Sequence, residues 1–274
     1  MKIKVLVDNN ASVKLKGEWG LSYYIEDEGK KILFDVGTSD LFIKNADELG
    51  IDLMDLDYIV FSHGHFDHTW GLPHLIRRYM EQGIEKDDRP IFVAHPLAFY
   101  PKYNVTDKEN GSLIGVEEIK RHFNTKFTKI PLKLTENITY LGEIKRINNF
   151  EGQNILGKYY KDGKYYDDYM IDDTALVYEK NHEIIIITGC SHSGICNIIE
   201  NALYYSQGNN IVDLIGGLHL INPESDIINK TLDYIKSKSI EKIHPCHCTD
   251  LKSKIELSSV ANVCELSVGS ILKY

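Results

Sequence analysis

The chain has 274 residues, 43% hydrophobic and 26% charged, which is enough apolar material for a sizeable core and excludes a disordered chain. A formal net charge of -9 offers no basic field to recruit phosphates, so a small-molecule substrate is expected and a nucleic-acid partner is not. The five cysteines, Cys190, Cys196, Cys246, Cys248 and Cys264, are odd in number and confined to the last third, a poor match to a secreted disulfide framework; reduced thiols and a cytoplasmic location are expected.

The opening MKIKVLVDNN turns polar at Asp8, too early for a secretory signal. KIKVLV, LSYYIE and KKILFDVG alternate or run apolar over strand lengths and predict a β-meander. DLFIKNADELG has helical spacing with Gly50 as its stop, and LDYIVFS reads as a buried strand. A helix follows from Thr69 through PHLIRRYMEQG to Gly83, then the strand PIFVAH. Residues 101 to about 170 are less regular, with Tyr159, Tyr160, Tyr165, Tyr166 and Tyr169 clustered among Gly, Lys and Asp; they read as an insertion or lid, or as a surface hairpin with tyrosines packed on the body. Order returns with TALVYEKNHEIIIITG as two strands around a turn that includes Asn181. Next come the helix GICNIIENALYYS, the strand IVDLIGGL, the helix SDIINKTLDYIKSKS and the strand IEKIHPCHC, then one more helix and strand. The aliphatic run Ile184 to Ile187 is far too short to cross a bilayer, so no membrane partner is expected. The oligomeric state is not legible.

The segment FSHGHFDHTWG places His63, His65, Asp67 and His68 within six positions at the end of an apolar run. His63 and His65 alternate along an extended segment, so both imidazoles can face one metal; Asp67 and His68, where the chain turns into the helix, can reach a second. Gly64 is expected to allow a tight turn between ligands. No G-x-G-x-x-G after a strand, phosphate-binding G-x-x-x-x-G-K-[ST] or G-x-S-x-G elbow is present, which removes simple dinucleotide, nucleotide-triphosphate and serine-hydrolase readings.

HGHFDH after an apolar strand resembles the HxHxDH signature of the metallo-β-lactamase superfamily, and LFDVG supports it by placing Asp35 at the family's orienting acidic position. In element order the resemblance covers essentially the whole chain. It implies an α+β fold, an αββα four-layer sandwich with the metals at one edge of two facing sheets. LVDNN, WGLSYYIE, TGCSHSGICNI, GGLHL and PCHCTD are similar to a narrower branch tied to dihydropterin- or methanopterin-related synthesis.

The resemblance also implies later ligands. ITGC aligns with a TGD-like turn, so Cys190 stands where an aspartate bridging two ions is expected; a thiolate there can bind zinc or iron. His192 in GCSHSG is expected to complete the first site, with Asp173 competing for that position or orienting it, and His247 in HPCHCTD fits the last metal histidine. Cys246 and Cys248 are expected to pack beneath the site. His219 in GGLHL and Trp19 are expected to contact substrate, the latter by stacking on a flat ring, with Lys158, Lys161 or Lys164 meeting a phosphate.

The cofactor implied is a pair of divalent ions, zinc first, with iron or manganese as alternatives. Such ions lower the pKa of a shared water from about 16 toward 7, and Asp67 is the expected catalytic proton shuttle. The function expected is a metal-dependent hydrolase, or a cyclohydrolase or synthase, acting on a pterin-like or phosphorylated small molecule. A phosphodiesterase of the same fold and a non-hydrolytic metal-binding or redox protein are the alternatives.

Overall fold

The structure, a computed structural model, describes residues 1–208 and 210–274. In chain order its elements are β1 (Lys2–Val7), β2 (Ser22–Asp27), β3 (Lys30–Phe34), α1 (Leu41–Glu48), β4 (Tyr58–Val60), α2 (Phe66–Thr69), α3 (Leu72–Glu81), β5 (Ile91–Ala94), β6 (Lys102–Asn104), α4 (Val116–His122), β7 (Thr125–Phe127), β8 (Leu132–Lys133) and β9 (Ile138–Tyr140). They continue with β10 (Gly157–Lys161), β11 (Lys164–Asp168), β12 (Ala175–Lys180), β13 (Glu183–Thr188), α5 (Ile195–Tyr205), β14 (Asn210–Gly216), α6 (Ser225–Lys238), β15 (Lys242–Pro245), α7 (Leu251–Leu257), β16 (Asn262–Val263) and β17 (Ile271–Lys273). The class is α+β. Two compact units share these elements: Met1–Lys129 with Ile155–Asp168 and Ser267–Tyr274, and Ile130–Asn154 with Tyr169–Leu266.

The first unit holds a seven-stranded sheet in the order β17-β1-β2-β3-β4-β5-β7. The meander predicted for β1 to β3 is antiparallel, and β3, β4, β5 and β7 then run parallel through helical crossovers. On one face Leu6, Leu33, Ile59 and Phe92 join Phe42, Ala46, Leu75, Tyr79 and Ile119 of α1, α3 and α4 in one apolar cluster. The alternating residues Val5, Tyr23, Ile25, Ile32, Phe34, Val60 and Val93 are fully buried as well. Both faces of this sheet are therefore covered, which is why its strands read as apolar runs. A separate three-stranded sheet, β11-β10-β6, belongs to the same unit.

The second unit has a seven-stranded sheet in the order β16-β15-β14-β13-β12-β9-β8. Asn181 and His182, at φ 52° and 64°, close the β12–β13 hairpin in the doubly left-handed turn that matches strand twist. From β13 onward each strand is followed by a helix and then a parallel neighbour, as far as β16. Ile184, Ile186, Leu214 and Ile243 pack against Ile195, Ile199, Ile228, Ile235 and Leu257 of α5, α6 and α7. Each fully buried aliphatic side chain contributes about 1.5–3 kcal/mol.

In both units the strand-to-helix loops leave the carboxyl ends of parallel strands, where open sheets of this kind expose reactive side chains. Asp35 follows β3, the HGHFDH segment follows β4, Cys190 follows β13, His219 follows β14 and His247 follows β15.

Four sequence expectations are modified. The helix expected from Thr69 begins earlier, as α2, and breaks at Gly71, where an added Cβ would sit 2.1 Å from Val36 O; Asp67 and His68 thus lie inside a helical turn. Residues 101–170 are not one irregular stretch: β7 joins the first unit's large sheet, β8 and β9 join the second's, and β6, β10 and β11 form the small one. After the last helix come two short strands rather than one, and β17 pairs back on β1. Gly64 is not in the left-handed region; it is required because a Cβ there would lie 1.8 Å from Ala98 O, so the need is close backbone approach. Among the described residues no helix is long and apolar enough to cross a membrane.

Candidate metal-binding clusters

In the first unit, the side-chain ligand atoms of His63, Asp67 and His68 all lie within 4.8 Å of one another, and all three residues are buried. β4 ends at Val60, three residues before His63; His65 is extended at φ -72° and ψ 157°, and α2 then carries Asp67 and His68 into the same cluster. The His63 ring centroid is 4.1 Å from that of His68 and 4.9 Å from that of His65. His65 precedes α2 as its half-buried cap, and its carbonyl accepts the N–H of His68 (3.2 Å) and the hydroxyl of Thr69 (2.9 Å).

Asp35 sets the proton positions of this cluster. Its Oδ1 accepts the Ser62 N–H (2.8 Å) and its Oδ2 accepts the Ser62 hydroxyl (2.6 Å) and His68 Nδ1 (2.7 Å). Because that hydroxyl has given its proton to Asp35, its oxygen is left to accept from His63 Nδ1, 2.9 Å away. Both imidazoles therefore carry their proton on Nδ1 and present the Nε2 lone pair, with His68 Nε2 directed to Asp67 Oδ1 at 3.9 Å. This is the carboxylate–histidine arrangement that prepares a metal ligand, here serving two rings. Two imidazole nitrogens and a carboxylate oxygen, buried and so oriented, fit a divalent transition ion. Asp35 itself is fully buried and held at φ 59°, with its carbonyl accepting the Ser22 hydroxyl (2.8 Å).

In the second unit, Cys190 and His192 are buried in the loop between β13 and α5. Ser191, at φ 65°, donates its hydroxyl to Gly217 O (2.6 Å), and Asp173 Oδ2 accepts both the N–H (2.9 Å) and the hydroxyl (2.5 Å) of Ser193. Asp173 thereby braces the loop that carries His192. Burial raises its pKa to about 6 against these opposing hydrogen bonds. The His192 and His219 rings are 4.3 Å apart, and His219 is solvent-exposed. Cys248 Sγ accepts the His219 N–H (3.3 Å) and lies 3.3 Å from Cys190 O. Burial alone would raise the Cys248 thiol, but hydrogen bonds with Cys190 and His219 and the neighbouring His247 bring it well below its ordinary value. Gly216, at φ 125°, and Gly217 let the strand ends close in: a Cβ on them would meet Thr188 O at 2.3 Å and Cys248 Sγ at 2.5 Å. Asp35, Ser191, His219 and His247 are all non-glycine residues with left-handed φ at strand ends, a conformation that surrounding structure must impose.

Each unit thus gathers its own expected residues: His63, His65, Asp67, His68 and Asp35 in the first, Cys190, His192, His219, His247 and Asp173 in the second. Cys246 and Cys248 are both buried, and Cys248 packs directly against the cluster through His219 N and Cys190 O. Trp19 is half exposed in the loop before β2, where the next residues lie on α2: Leu21 N donates to Asp67 O (3.3 Å). Tyr159, Tyr160, Tyr165 and Tyr166 form ring pairs on the β10–β11 hairpin. Sequence reasoning missed Ser62, the relay between Asp35 and His63; its signal is a hydroxyl residue immediately before the first histidine. His95 also follows a parallel strand, but its Nδ1 accepts the N–H of Leu97 (3.2 Å) and closes its own turn.

The sequence profile of the metallo-beta-lactamase superfamily matches residues 20–201. An uncharacterized protein of Methanocaldococcus jannaschii is 34% identical over 98% of this chain and 99% of its own. The 7,8-dihydropterin-6-methyl-4-(beta-D-ribofuranosyl)-aminobenzene-5'-phosphate synthase of the same organism is 32% identical over 86% of this chain and 82% of its own. Among solved structures, Tm1679, a metal-dependent hydrolase of the beta-lactamase superfamily, superposes with a TM-score of 0.84 at 27% identity, covering 100% of this chain and 99% of its own.

Proposed function

We propose, from the premise that this chain belongs to the metallo-beta-lactamase superfamily, that it is a metal-dependent hydrolase or mechanistically related synthase acting on a pterin-like or phosphorylated small molecule. The observation that carries this is the Asp35–Ser62–His63 and Asp35–His68 hydrogen-bond pair, which leaves both Nε2 lone pairs available as ligands in a buried cluster with the Asp67 carboxylate. The substrate class is supported by likeness to the dihydropterin synthase and by the exposed Trp19 beside α2.

The ligand set proposed is His63, His65, Asp67, His68, Cys190, His192 and His247, with zinc the first candidate and two ions the expected number. A bound divalent ion supplies Lewis acidity and brings the pKa of water toward 7. Asp67, with Oδ1 3.9 Å from His68 Nε2, is the proposed group to hold or pass a proton. Asp35 and Ser62 keep His63 and His68 in one tautomer through the cycle, and Asp173 holds the His192 loop. Near-complete burial of His63 and His68 excludes competing water from their inner edges.

The test is turnover of a panel of phosphomonoesters, phosphodiesters, lactones and reduced pterin phosphates, before and after chelation and after adding back zinc, iron or manganese. The proposal expects activity on at least one small ester or pterin compound that disappears with chelation and returns with one metal. Turnover indifferent to chelation contradicts hydrolysis by metal; oxygen or peroxide consumption in its place supports the redox alternative.

A further inference from the structure

We propose, resting on the reading of Asp67 and His68 as metal ligands, that Trp70 is a positioning residue for both: its indole ties the ligand-bearing turn α2 to a brace made by Asn110 and Gly111. α2 is a single turn, Phe66–Thr69, and a helix of that length has no stability of its own. Its buried side chains, Asp67, His68 and Thr69, are all polar, and its cap His65 makes no side-chain hydrogen bond to it. Neighbouring backbone must therefore hold it. Leu21 N and Val36 N donate to the carbonyls of Asp67 (3.3 Å) and His68 (3.0 Å).

A second set of bonds pins both ends of the turn to one dipeptide. At its start the Phe66 N–H, which has no partner within a helix, donates to Asn110 O at 2.8 Å. At its end Trp70 donates Nε1 to Gly111 O at 2.7 Å. The Phe66 and Trp70 rings, four positions apart and so on one side of the turn, lie 5.2 Å from centroid to centroid. The indole is thus packed on α2 at one edge and bonded to the brace at the other.

The brace is fixed in turn by the small sheet. Asn110 N donates to Lys102 O (3.0 Å) and Asn104 N to Lys108 O (2.8 Å), so residues 108–110 return antiparallel along β6. Gly111 passes so close that an added Cβ would lie 2.8 Å from Lys102 N. Lys102 is only 2% exposed, and its Nζ is 2.7 Å from Asp168 Oδ2, a buried pair that ties β6 to β11 across β10 and is costly to break. The small sheet is in this way a support for the metal-bearing turn, reaching it through Asn110, Gly111 and Trp70.

Titration of the full chain with cobalt(II), followed by its d–d absorption, tests this, with circular dichroism as the check on the fold. Wild type is expected to bind. Trp70→Phe, which keeps a ring, and benzothienylalanine at position 70, which keeps the bicyclic shape and lacks the N–H, are expected to weaken cobalt binding about 10-fold and to alter the d–d bands with the fold retained. Tyr79→Phe is the control: it also removes a donor to a backbone carbonyl in the same unit, Leu53 O at 2.9 Å, and is expected to lower the melting temperature while leaving cobalt affinity and bands unchanged. Folded Trp70 variants that bind cobalt as tightly as wild type with the same bands overturn the proposal, as does a Tyr79→Phe chain that loses as much affinity as they do. A wild type that takes up no cobalt overturns the metal reading itself, and the brace with it.

Discussion

Asp35→Asn is the sharpest probe of the first cluster. Asparagine is close in size and tolerates the φ of 59° at this position, so the backbone has no reason to move. Its carbonyl oxygen can still accept the Ser62 N–H, now at 2.8 Å, but its amide must face Ser62 Oγ and His68 Nδ1 with protons instead of lone pairs. His68 then has to accept at Nδ1 and carry its proton on Nε2, the atom a metal needs. The Ser62 hydroxyl, having lost its acceptor, is released to donate to His63 Nδ1 and push that ring the same way. Loss of such an orienting partner weakens metal binding by about 10–100-fold, or about 1.4–2.7 kcal/mol. Since two ligands are affected through one carboxylate, the upper part of that range is expected. Competition with a chromogenic chelator gives the affinity, and circular dichroism confirms the fold. An Asp35→Asn chain that is folded and binds zinc, iron or manganese as tightly as wild type would refute the tautomer relay.

Gly64→Ala should be severe, because the new methyl meets Ala98 O at 1.8 Å; a loss of about 3 kcal/mol or more is expected as a large drop in melting temperature, and a melt within a degree or two of wild type would show that the Ala98 turn yields freely. The Lys102–Asp168 pair is buried at 2.7 Å, so Asp168→Asn strands an ammonium and should cost about 3–5 kcal/mol in urea denaturation, while Lys102→Met with Asp168→Leu should recover most of it; equal losses in the single and double variants would contradict this. Burial raises the pKa of the Glu151 carboxyl, opposed by the Asn148 amide and the N–H groups of Asn197 and Cys196 at the start of α5. The folded chain therefore binds more protons here than the unfolded one, and this group's contribution to stability falls as pH climbs from the ordinary carboxyl value through the raised one. The stability of Glu151→Gln relative to wild type should improve as pH rises above the ordinary carboxyl value; a pH-independent difference would remove Glu151 from the pH response.

The parts of this molecule that could be read in advance are those where one local period or one short segment carries the information. Strands such as Lys30–Phe34 and Glu183–Thr188 announce themselves as apolar runs because both faces are buried, and the Asn181 and Gly83 turns mark their own boundaries. His63, Asp67 and His68 were legible because six consecutive positions hold them. Asp35 required only that an acidic residue end a neighbouring parallel strand. What stayed hidden depends on contacts distant in sequence. The role of Ser62 emerges only when β3 and β4 pair and bring Asp35 against it. Strand alternation predicts a buried Cys248 next to His247, but its contacts with the His219 N–H and Cys190 O exist only once the ends of β13, β14 and β15 lie side by side. Residues 101–170 looked irregular because β6 to β11 are two to five residues long and serve three different sheets, so no window there holds a steady period.

The most direct measurement is elemental analysis of the full chain purified without chelator or added metal, made side by side for wild type, His68→Ala and Asp67→Ala. The account predicts bound divalent transition metal in the wild type, a marked fall in content in both variants with the fold retained, and a parallel fall in turnover. A wild-type protein that arrives metal-free and takes up no zinc, iron or manganese, or variants that keep full metal content, would contradict it.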